Sequence, residues 1–457
     1  MNLLRVFFIS MCFILPSHLS RAGQAPLPEE VSYHQYINQV LAYYPSLKKE
    51  HANIEKTIAQ KALVASSRLP HLWLSAKFDY GNDPVYVFGA LLRQNRFTSD
   101  DFALDRLNKP SSYSDNSAGV QGQWLLFDFS QTASRVKSVG LLDESARFQW
   151  ELTHMEAILA ASEVYSRLAV TEQLLIVIRE AARAAQEDIS VAQSLNRKGM
   201  VLGADFYTAR ISQSQLEQLN NEITAQKAAL SMAFNVLRGA DPSLPVEVSL
   251  DFKRPLKLQG TVEDWMAKTA GGRLDIKALN KILQAQGIQQ KIEKKSFLPK
   301  VVAYGDADEH THSFAGEGRG SYMVGLKAQM DIFDPGYGPR IKMAKEEFNR
   351  LSAQVQELKD QAAKDTAETF YRLKALETNS VLASRIYNDS RQSVRLMQPL
   401  YKEGRSGIYQ MVNARSGLVE AYQRWLTTQA ARRQSLLTLE FYAGVLNEKE
   451  AEVVYGQ

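Results

Sequence analysis

Two histidines in an acidic stretch are the side chains best placed to do chemistry in this sequence. They are His310 and His312 in "DADEHTH", residues 306–312. Residues two apart in a strand share a face, and imidazole and carboxylate groups are common metal ligands. A polar rim on a surface loop would have the same composition. No serine–histidine–acid set and no pair of carboxylates can be assigned to one cleft. We therefore expect no enzyme, no resident metal and no cofactor.

The composition is that of a folded, exported protein. The chain has 457 residues, of which 45% are hydrophobic and 23% charged, and its formal charge of +4 is too small to indicate nucleic acid as a partner. Residues 1–25 combine Arg5 with a short apolar run, which is typical of a signal peptide and too short to span a bilayer. Cys12 lies in this run, and no other cysteine is present. The mature protein would therefore have no disulfide and no thiol nucleophile.

An internal repeat organises the rest of the sequence. A shift of 229 residues aligns Leu69-Pro70 with Leu298-Pro299, and a shift of 206 aligns Phe127-Asp128 with Phe333-Asp334. A shift of 205 then aligns Gly199 with Gly404 and the later helical residues. So many matches in one order predict two structural repeats, residues 26–256 and 257–457.

Each repeat contains two alternating segments of about the length of a membrane strand. In the first, Leu72, Leu74 and Phe78 are predicted on one face, and Ser75 and Lys77 on the other. An apolar outer face and a polar inner face are typical of barrel strands, although a soluble sandwich strand has the same local pattern. Four strands cannot close into a barrel, and open edges are not tolerated in lipid. A membrane barrel would therefore require several chains.

Long helices are predicted at residues 131–198 and 341–403, where glycine and proline are nearly absent and apolar residues recur every three or four positions. Sixty helical residues extend about 90 Å, which is too long for a compact domain. Shorter helices are predicted at 201–237 and 407–446. Single helices at 30–67 and 261–296 are predicted to cover the remaining length of the long ones. Residues 83–117, which make the first repeat longer, are predicted to form a loop outside the membrane that packs over the barrel mouth or recognises a foreign ligand.

This plan resembles the TolC-like outer-membrane efflux protein family, the outer membrane factors. The resemblance is carried by the duplicated Leu-Pro and Phe-Asp pairs and by the turns "GMVLGADFYTAR" and "GRSGIYQMVNAR". It implies a mainly α fold with membrane β: long coiled helices forming a periplasmic α-barrel, and four strands from each chain of a homotrimer forming one twelve-stranded outer-membrane β-barrel.

The resemblance also implies a function and a location. The chain would be the exit duct of a tripartite efflux or type I secretion system, passively conducting substrates from an inner-membrane transporter and a periplasmic adaptor protein. It would lie among the lipids of the outer membrane of a Gram-negative bacterium and extend into the periplasm. The alternative is a soluble periplasmic coiled-coil adaptor, which would lack the four barrel-type strands.

The candidate site lies at the helical turns. The resemblance places the pore constriction at Asp205, Gln410 and Asn413, where the family has acidic residues and this chain has one acid and two amides. Three copies of Asp205 would form a negative ring, and Asp205 is equally suited to be an N-cap. The surfaces implied to contact the adaptor are the two helical tips, Lys198, Gly199, Met200, Gly404, Arg405 and Ser406.

Overall fold

Two repeats of the same helix and strand order build the chain. The computed structural model describes residues 29–256, 258–313 and 318–456. The predicted signal peptide, residues 1–25, lies outside the described residues. The elements of the first repeat are β1 (Glu29–Glu30), α1 (Tyr33–Tyr43), α2 (Pro45–Ser66), β2 (His71–Gly81), α3 (Pro84–Arg93), a 3-10 helix (Ser99–Phe102), α4 (Leu104–Asn108), β3 (Tyr113–Phe127), α5 (Gln131–Arg197), α6 (Gly203–Arg238) and β4 (Val246–Glu247).

The second repeat has the same plan without the inserted short helices. Its elements are α7 (Val262–Gly272), α8 (Leu274–Lys295), β5 (Lys300–Thr311), β6 (Arg319–Gln329), α9 (Tyr337–Lys402), α10 (Ile408–Tyr442) and α11 (Glu448–Tyr455). Helices α7 and α8 follow α1 and α2 by the same 229 residues that align the Leu-Pro pairs. The division of the chain at residues 256 and 257 stays a prediction.

The long helices α5 and α9 have 67 and 66 residues. At 1.5 Å per residue each extends about 100 Å. In the half nearer the sheet they pack against α2 and α8, as predicted, and in the other half against α6 and α10. Within the described ranges, no helix has an apolar stretch long enough to cross a membrane.

The prediction of one unbroken helix before each Leu-Pro pair is wrong. Tyr44 separates α1 from α2 with φ −46° and ψ 111°, because Pro45 disfavours helical backbone at the residue before it. In the second repeat Arg273 separates α7 from α8, and its guanidinium Nε donates to Asp275 at 3.0 Å. Gly272 permits this break, since a Cβ there would lie 1.9 Å from the Ala443 carbonyl oxygen.

The four predicted barrel-type strands form one antiparallel sheet in the order β2-β3-β5-β6. Its register places Leu72 beside Gly122, Gly122 beside Gly305, and Gly305 beside Val324. One face is apolar and exposed: Leu74 is 79% and Tyr322 82% exposed. On the opposite face the Trp73 Nε1 donates to Gln121 Oε1 at 3.0 Å. The alternation therefore follows the predicted pattern.

The main hydrophobic core lies at the middle of the long helices. Tyr36 stacks on Phe234 at 3.8 Å between ring centroids, and Tyr33 stacks on Tyr455 of α11 at 4.2 Å. Near the end of the first repeat, β4 pairs in parallel with β1. Helix α11 was not predicted. It completes the core where α1 crosses α5.

The insertion in the first repeat is folded. The Tyr86 hydroxyl donates to the Asp79 carbonyl at 2.8 Å, which ties α3 to the end of β2. Phe88 and Phe97 pack edge to face at 4.9 Å. The segment therefore extends the strand end of the sheet as a small helical cap, where an irregular loop was predicted.

Candidate functional site

The two helical tips use the same turn. Gly199 has φ +71° and Gly404 φ +72°, so each long helix ends in a left-handed residue that glycine adopts without strain. The next amide closes each turn: Met200 N donates to the Leu195 carbonyl at 3.0 Å, and Arg405 N to the Leu400 carbonyl at 2.9 Å.

The two turns lie side by side at one end of the protein. A Cβ on Gly404 would lie 2.9 Å from Met200 Cε, so the tips touch. The six residues predicted to meet an adaptor are thereby brought to one end of the helical layer. A small core of Ala192, Ala209, Tyr401, Ile408 and Met411 holds this end together.

The three predicted constriction residues lie within the first two turns of α6 and α10. Asp205 is the third residue of α6, and the Leu202 amide donates to its Oδ2 at 3.3 Å. The alternative that Asp205 is the N-cap is wrong, because Leu202 is the N-cap residue of α6. Leucine has no side-chain acceptor for the free amides at the helix start, and the Asp205 carboxylate accepts from the Leu202 amide instead. Asp205 therefore helps to begin α6.

Gln410 occupies the corresponding third position of α10, whose N-cap is Gly407. Its Oε1 lies 2.8 Å from where a Cβ of Gly407 would stand, so the amide folds back over the helix start. Asn413 is exposed about one turn further on, at the position that Thr208 occupies in the first repeat. Of these sites only Asp205 carries charge, and the single chain does not bring them into a ring.

A buried ion pair close to the tips was not predicted. Arg415 Nη2 lies 2.6 Å from Asp188 Oδ2, and both side chains are 5% exposed. The Tyr401 hydroxyl donates to the Asp188 carbonyl at 3.1 Å, so α5, α9 and α10 meet at this point. Burial raises the pKa of the Asp188 carboxyl, and the Arg415 guanidinium opposes that rise.

The sequence did carry a signal for this pair. The repeat aligns Arg415 with Arg210, yet Arg210 is exposed and lies over the Phe206 ring at 5.8 Å. The presence of arginine at both aligned positions was the only sequence signal that this position contributes to the structure. Only the fold shows which copy is buried.

The Phe-Asp pairs lie at the other end of the long helices. Asp128 Oδ2 accepts from the Thr132 amide at 2.6 Å, and Asp334 Oδ1 accepts from the Gly336 amide at 2.8 Å. Asp334 also pairs with Arg340, whose hydrogen bond lowers the pKa of the Asp334 carboxyl. Each aspartate thus satisfies amides at a helix start and fixes the passage from strand to helix.

The two histidines do not converge on a metal site. His310 Nδ1 lies 2.9 Å from Asp115 Oδ2, and both side chains are buried, whereas His312 Nδ1 lies 3.1 Å from Ser114 Oγ. In the part of the chain that the structure describes, no group of three or more histidine, cysteine or acidic side chains is placed to hold a metal ion. The alternative of a polar rim on a surface loop does not describe His310 either, because this residue lies buried within strand β5.

Fold and tips together have the arrangement that the resemblance implies. A sheet with an apolar outer face leads into two helices about 100 Å long that end in paired turns, as expected for the class of TolC-like outer-membrane channels. This class consists of transport ducts and not of enzymes, as the sequence predicts.

Comparison with known proteins supports this assignment. Residues 265–445 match the sequence model of a family described as outer membrane efflux protein. No curated protein matches the sequence.

Solved outer-membrane channels share the fold. CmeC of Campylobacter jejuni superposes with a TM-score of 0.75 at 14% identity, covering 92% of this chain and 88% of that one. VceC of Vibrio cholerae gives 0.73 at 15% identity over 90% and 95% of the two chains. The open state of MtrE of Neisseria gonorrhoeae gives 0.72 at 16% over 90% and 89%. The predicted resemblance and the fold class are confirmed, and the solved structures that share the fold are outer-membrane channels.

Proposed function

We propose that this chain forms, as a homotrimer, the exit duct of a tripartite efflux or type I secretion system. The observation that carries the proposal is the sheet, whose apolar face is exposed and which leads directly into hairpins long enough to cross much of the periplasm. The duct would conduct passively, with energy and substrate choice supplied by an inner-membrane transporter and a periplasmic adaptor. A soluble adaptor would have no need of this sheet.

The edges of the protomer support assembly with further copies. Strands β2 and β6 are the outer strands of the described sheet, and their open edges require partners in lipid. Contacts between elements place the tip-side helices in the order α6-α5-α10-α9, so α6 and α9 are the outer helices there. In a ring of copies, each chain would join the next through its outer strands in the sheet and through its outer helices near the tips.

Both outer helices carry exposed apolar residues that suit such a joint. Their side chains are 46% to 59% exposed: Ile211, Met232 and Val236 on α6, and Leu382, Ile386 and Leu396 on α9. In a closed ring, α6 of one copy would cover α9 of the next. Three copies supply twelve strands, a number that closes a barrel with a water-filled interior.

The assembly is tested by the mass of the mature protein in solution. We expect the protein to require detergent for extraction and to have a detergent-corrected mass of three chains by light scattering. A water-soluble particle of one chain would contradict the proposal and favour the periplasmic adaptor.

The tips are proposed to be the pore constriction and the contact surface for the adaptor. Three copies of Asp205 would give a negative ring, whereas Gln410 and Asn413 would contribute hydrogen-bonding groups without charge. Asp205→Ala is therefore expected to weaken the cation preference of the pore, measured as the reversal potential across a planar bilayer in a salt gradient. The joint change Gln410→Asp and Asn413→Asp is expected to raise the preference and to introduce block by divalent cations.

Glu222→Ala is the matched control, since it removes an acid from the same helix further from the tip. Its reversal potential should equal that of the unmodified protein. If the tip variants also leave the reversal potential unchanged, the constriction lies elsewhere in the duct.

A further inference from the structure

The apolar face of the sheet contains a groove of about 700 Å³. Small residues form its floor: Gly122 on β3 and Ala303, Gly305 and Ala307 on β5. Larger side chains stand on both sides, Leu72 and Trp124 on one and Tyr322, Val324 and Leu326 on the other. A groove with large side chains on both sides therefore runs along β5 on the apolar face of the sheet.

The strand register creates this shape. Gly122 pairs with Gly305 at the centre, and their outer neighbours across the sheet are Leu72 and Val324. Along β5, Ala303 and Ala307 lie two residues to either side of Gly305 and face the same way. Ala303 is flanked by Trp124 and Leu326, and Ala307 by Tyr322. The groove is thus a row of small residues between two rows of large ones.

The groove matches one leaflet of a membrane in length. From Ala303 to Ala307 the strand advances by about 14 Å. The hydrocarbon core of a bilayer is about 30 Å thick, so one leaflet contributes about half of that. An acyl chain lying in the groove would contact the protein on three sides, and because surrounding lipid is equally apolar, these added van der Waals contacts would decide its preference.

The end of the groove nearer the helices, its lower end, has features of a membrane interface. Strand β5 begins at Lys300, directly after the helical part, so Ala303 lies near the periplasmic end of the sheet. At this end Trp124 Nε1 donates to the Arg68 carbonyl at 2.7 Å, and the Arg68 side chain is exposed. Tryptophan is enriched at the membrane interface, and a guanidinium binds phosphate oxygens in two-point contacts.

We propose that the groove binds one acyl chain of a glycerophospholipid of the periplasmic leaflet, with its phosphate at Arg68. The inference rests on the proposed function, since it requires the apolar face to lie in lipid. Bulk lipid covers any such face without preference. The groove, in contrast, selects one lipid by the contact along β5 and the charge at its lower end.

The test fills the groove and counts retained lipid. The double variant Ala303→Leu with Ala307→Leu places two larger side chains on the groove floor. Ala328→Leu adds the same bulk on the apolar face of β6, outside the groove lining, and is the matched control. Purified protein in mild detergent is mixed with dioleoyl phosphatidylethanolamine, and bound lipid per chain is measured by native mass spectrometry.

We expect the unmodified protein and Ala328→Leu to retain phospholipid equally and the double leucine variant to lose it. Arg68→Gln, which leaves the groove lining intact, is expected to lower the occupancy about fivefold at subsaturating lipid by removing one charge from the interface. Equal retention by all four proteins would overturn the inference, as would retention by Arg68→Gln at the level of the unmodified protein.

Conductance and mass of the same samples separate the two proposals. Trimers that conduct but show equal lipid retention would refute the groove alone. A water-soluble, non-conducting particle would refute the duct, and with it the groove.

Discussion

Replacing Arg415 by alanine is expected to lower the free energy of opening the helical tip by about 3–5 kcal/mol, the cost of leaving one member of a buried ion pair without its partner. Its partner Asp188 lies at 2.6 Å with a side chain that is 5% exposed, so the carboxylate would lose its main source of compensation. The pair joins the long helix of one repeat to the tip hairpin of the other. Loss of the pair should therefore destabilise both the long helix and the tip hairpin near the tips.

Hydrogen exchange measures this effect locally. Amides of residues 185–205 and 398–416 should exchange faster in Arg415→Ala, whereas those of the core around Tyr165 should not change. Arg210→Ala is the matched control because it removes the equivalent but exposed arginine of the other repeat, and such surface changes are usually worth within about 0.5 kcal/mol.

A double variant distinguishes the cost of an unpaired charge from the value of the pair. Arg415→Met with Asp188→Leu removes both charges and keeps apolar volume, so it should recover most of the lost protection. If Arg415→Ala and Arg210→Ala have equal effects on tip exchange, the buried pair does not stabilise the tip.

Replacing Glu440 by glutamine is expected to stabilise the protein above neutral pH. Its Oε2 is buried without a hydrogen-bond partner among the described residues. Burial raises the pKa of the Glu440 carboxyl from 4.5 to about 7, Glu450 adds to the rise, and Lys268 opposes it. The folded protein therefore favours the protonated form.

The direction of the pH dependence follows from this. The pKa is higher in the folded state than in the unfolded state, so the contribution of Glu440 is fully present below about pH 4.5 and is lost as the pH rises through 7. Glutamine resembles the protonated acid at every pH. At 1.36 kcal/mol per unit of pKa, the gain at pH 8 is about 3 kcal/mol.

Thermal unfolding at pH 5 and pH 8 measures the gain. The midpoint of Glu440→Gln should exceed that of the unmodified protein at pH 8 and approach it at pH 5. Glu420→Gln, an exposed position of the same helix, should show no difference at either pH. A Glu440→Gln midpoint that is unchanged at pH 8 would show that the buried carboxyl titrates normally.

The repeated elements could be predicted because their signals are local. Proline and glycine are absent from most of α5 and α9, and the strands alternate with period two, so the type of each element follows from the residues themselves. The Phe-Asp pairs, which the repeat aligns, lie at the strand-to-helix junctions. There Asp128 and Asp334 bind amides at the helix starts.

The remaining features depend on contacts between distant residues. The break at Arg273 follows from the close approach of Gly272 to Ala443, and the pairing of Asp188 with Arg415 joins positions 227 residues apart. The helical cap after β2 is held by Tyr86 on Asp79 and by aromatic packing, which composition alone does not reveal. At the tips, the sequence offered an N-cap as one of two interpretations of Asp205, which lies instead at the third position of α6. The sequence does not show that α6 begins at Leu202, a residue without a capping side chain, because the start of this helix is set by the conformation of the preceding turn.

The central claim is a continuous water-filled duct, and planar-bilayer conductance of the detergent-purified mature protein tests it most directly. Discrete, cation-preferring current steps from a particle with the mass of three chains are the result expected here. A protein that leaves the bilayer current at the level of the detergent blank, and that stays in solution as a single chain, would contradict the account.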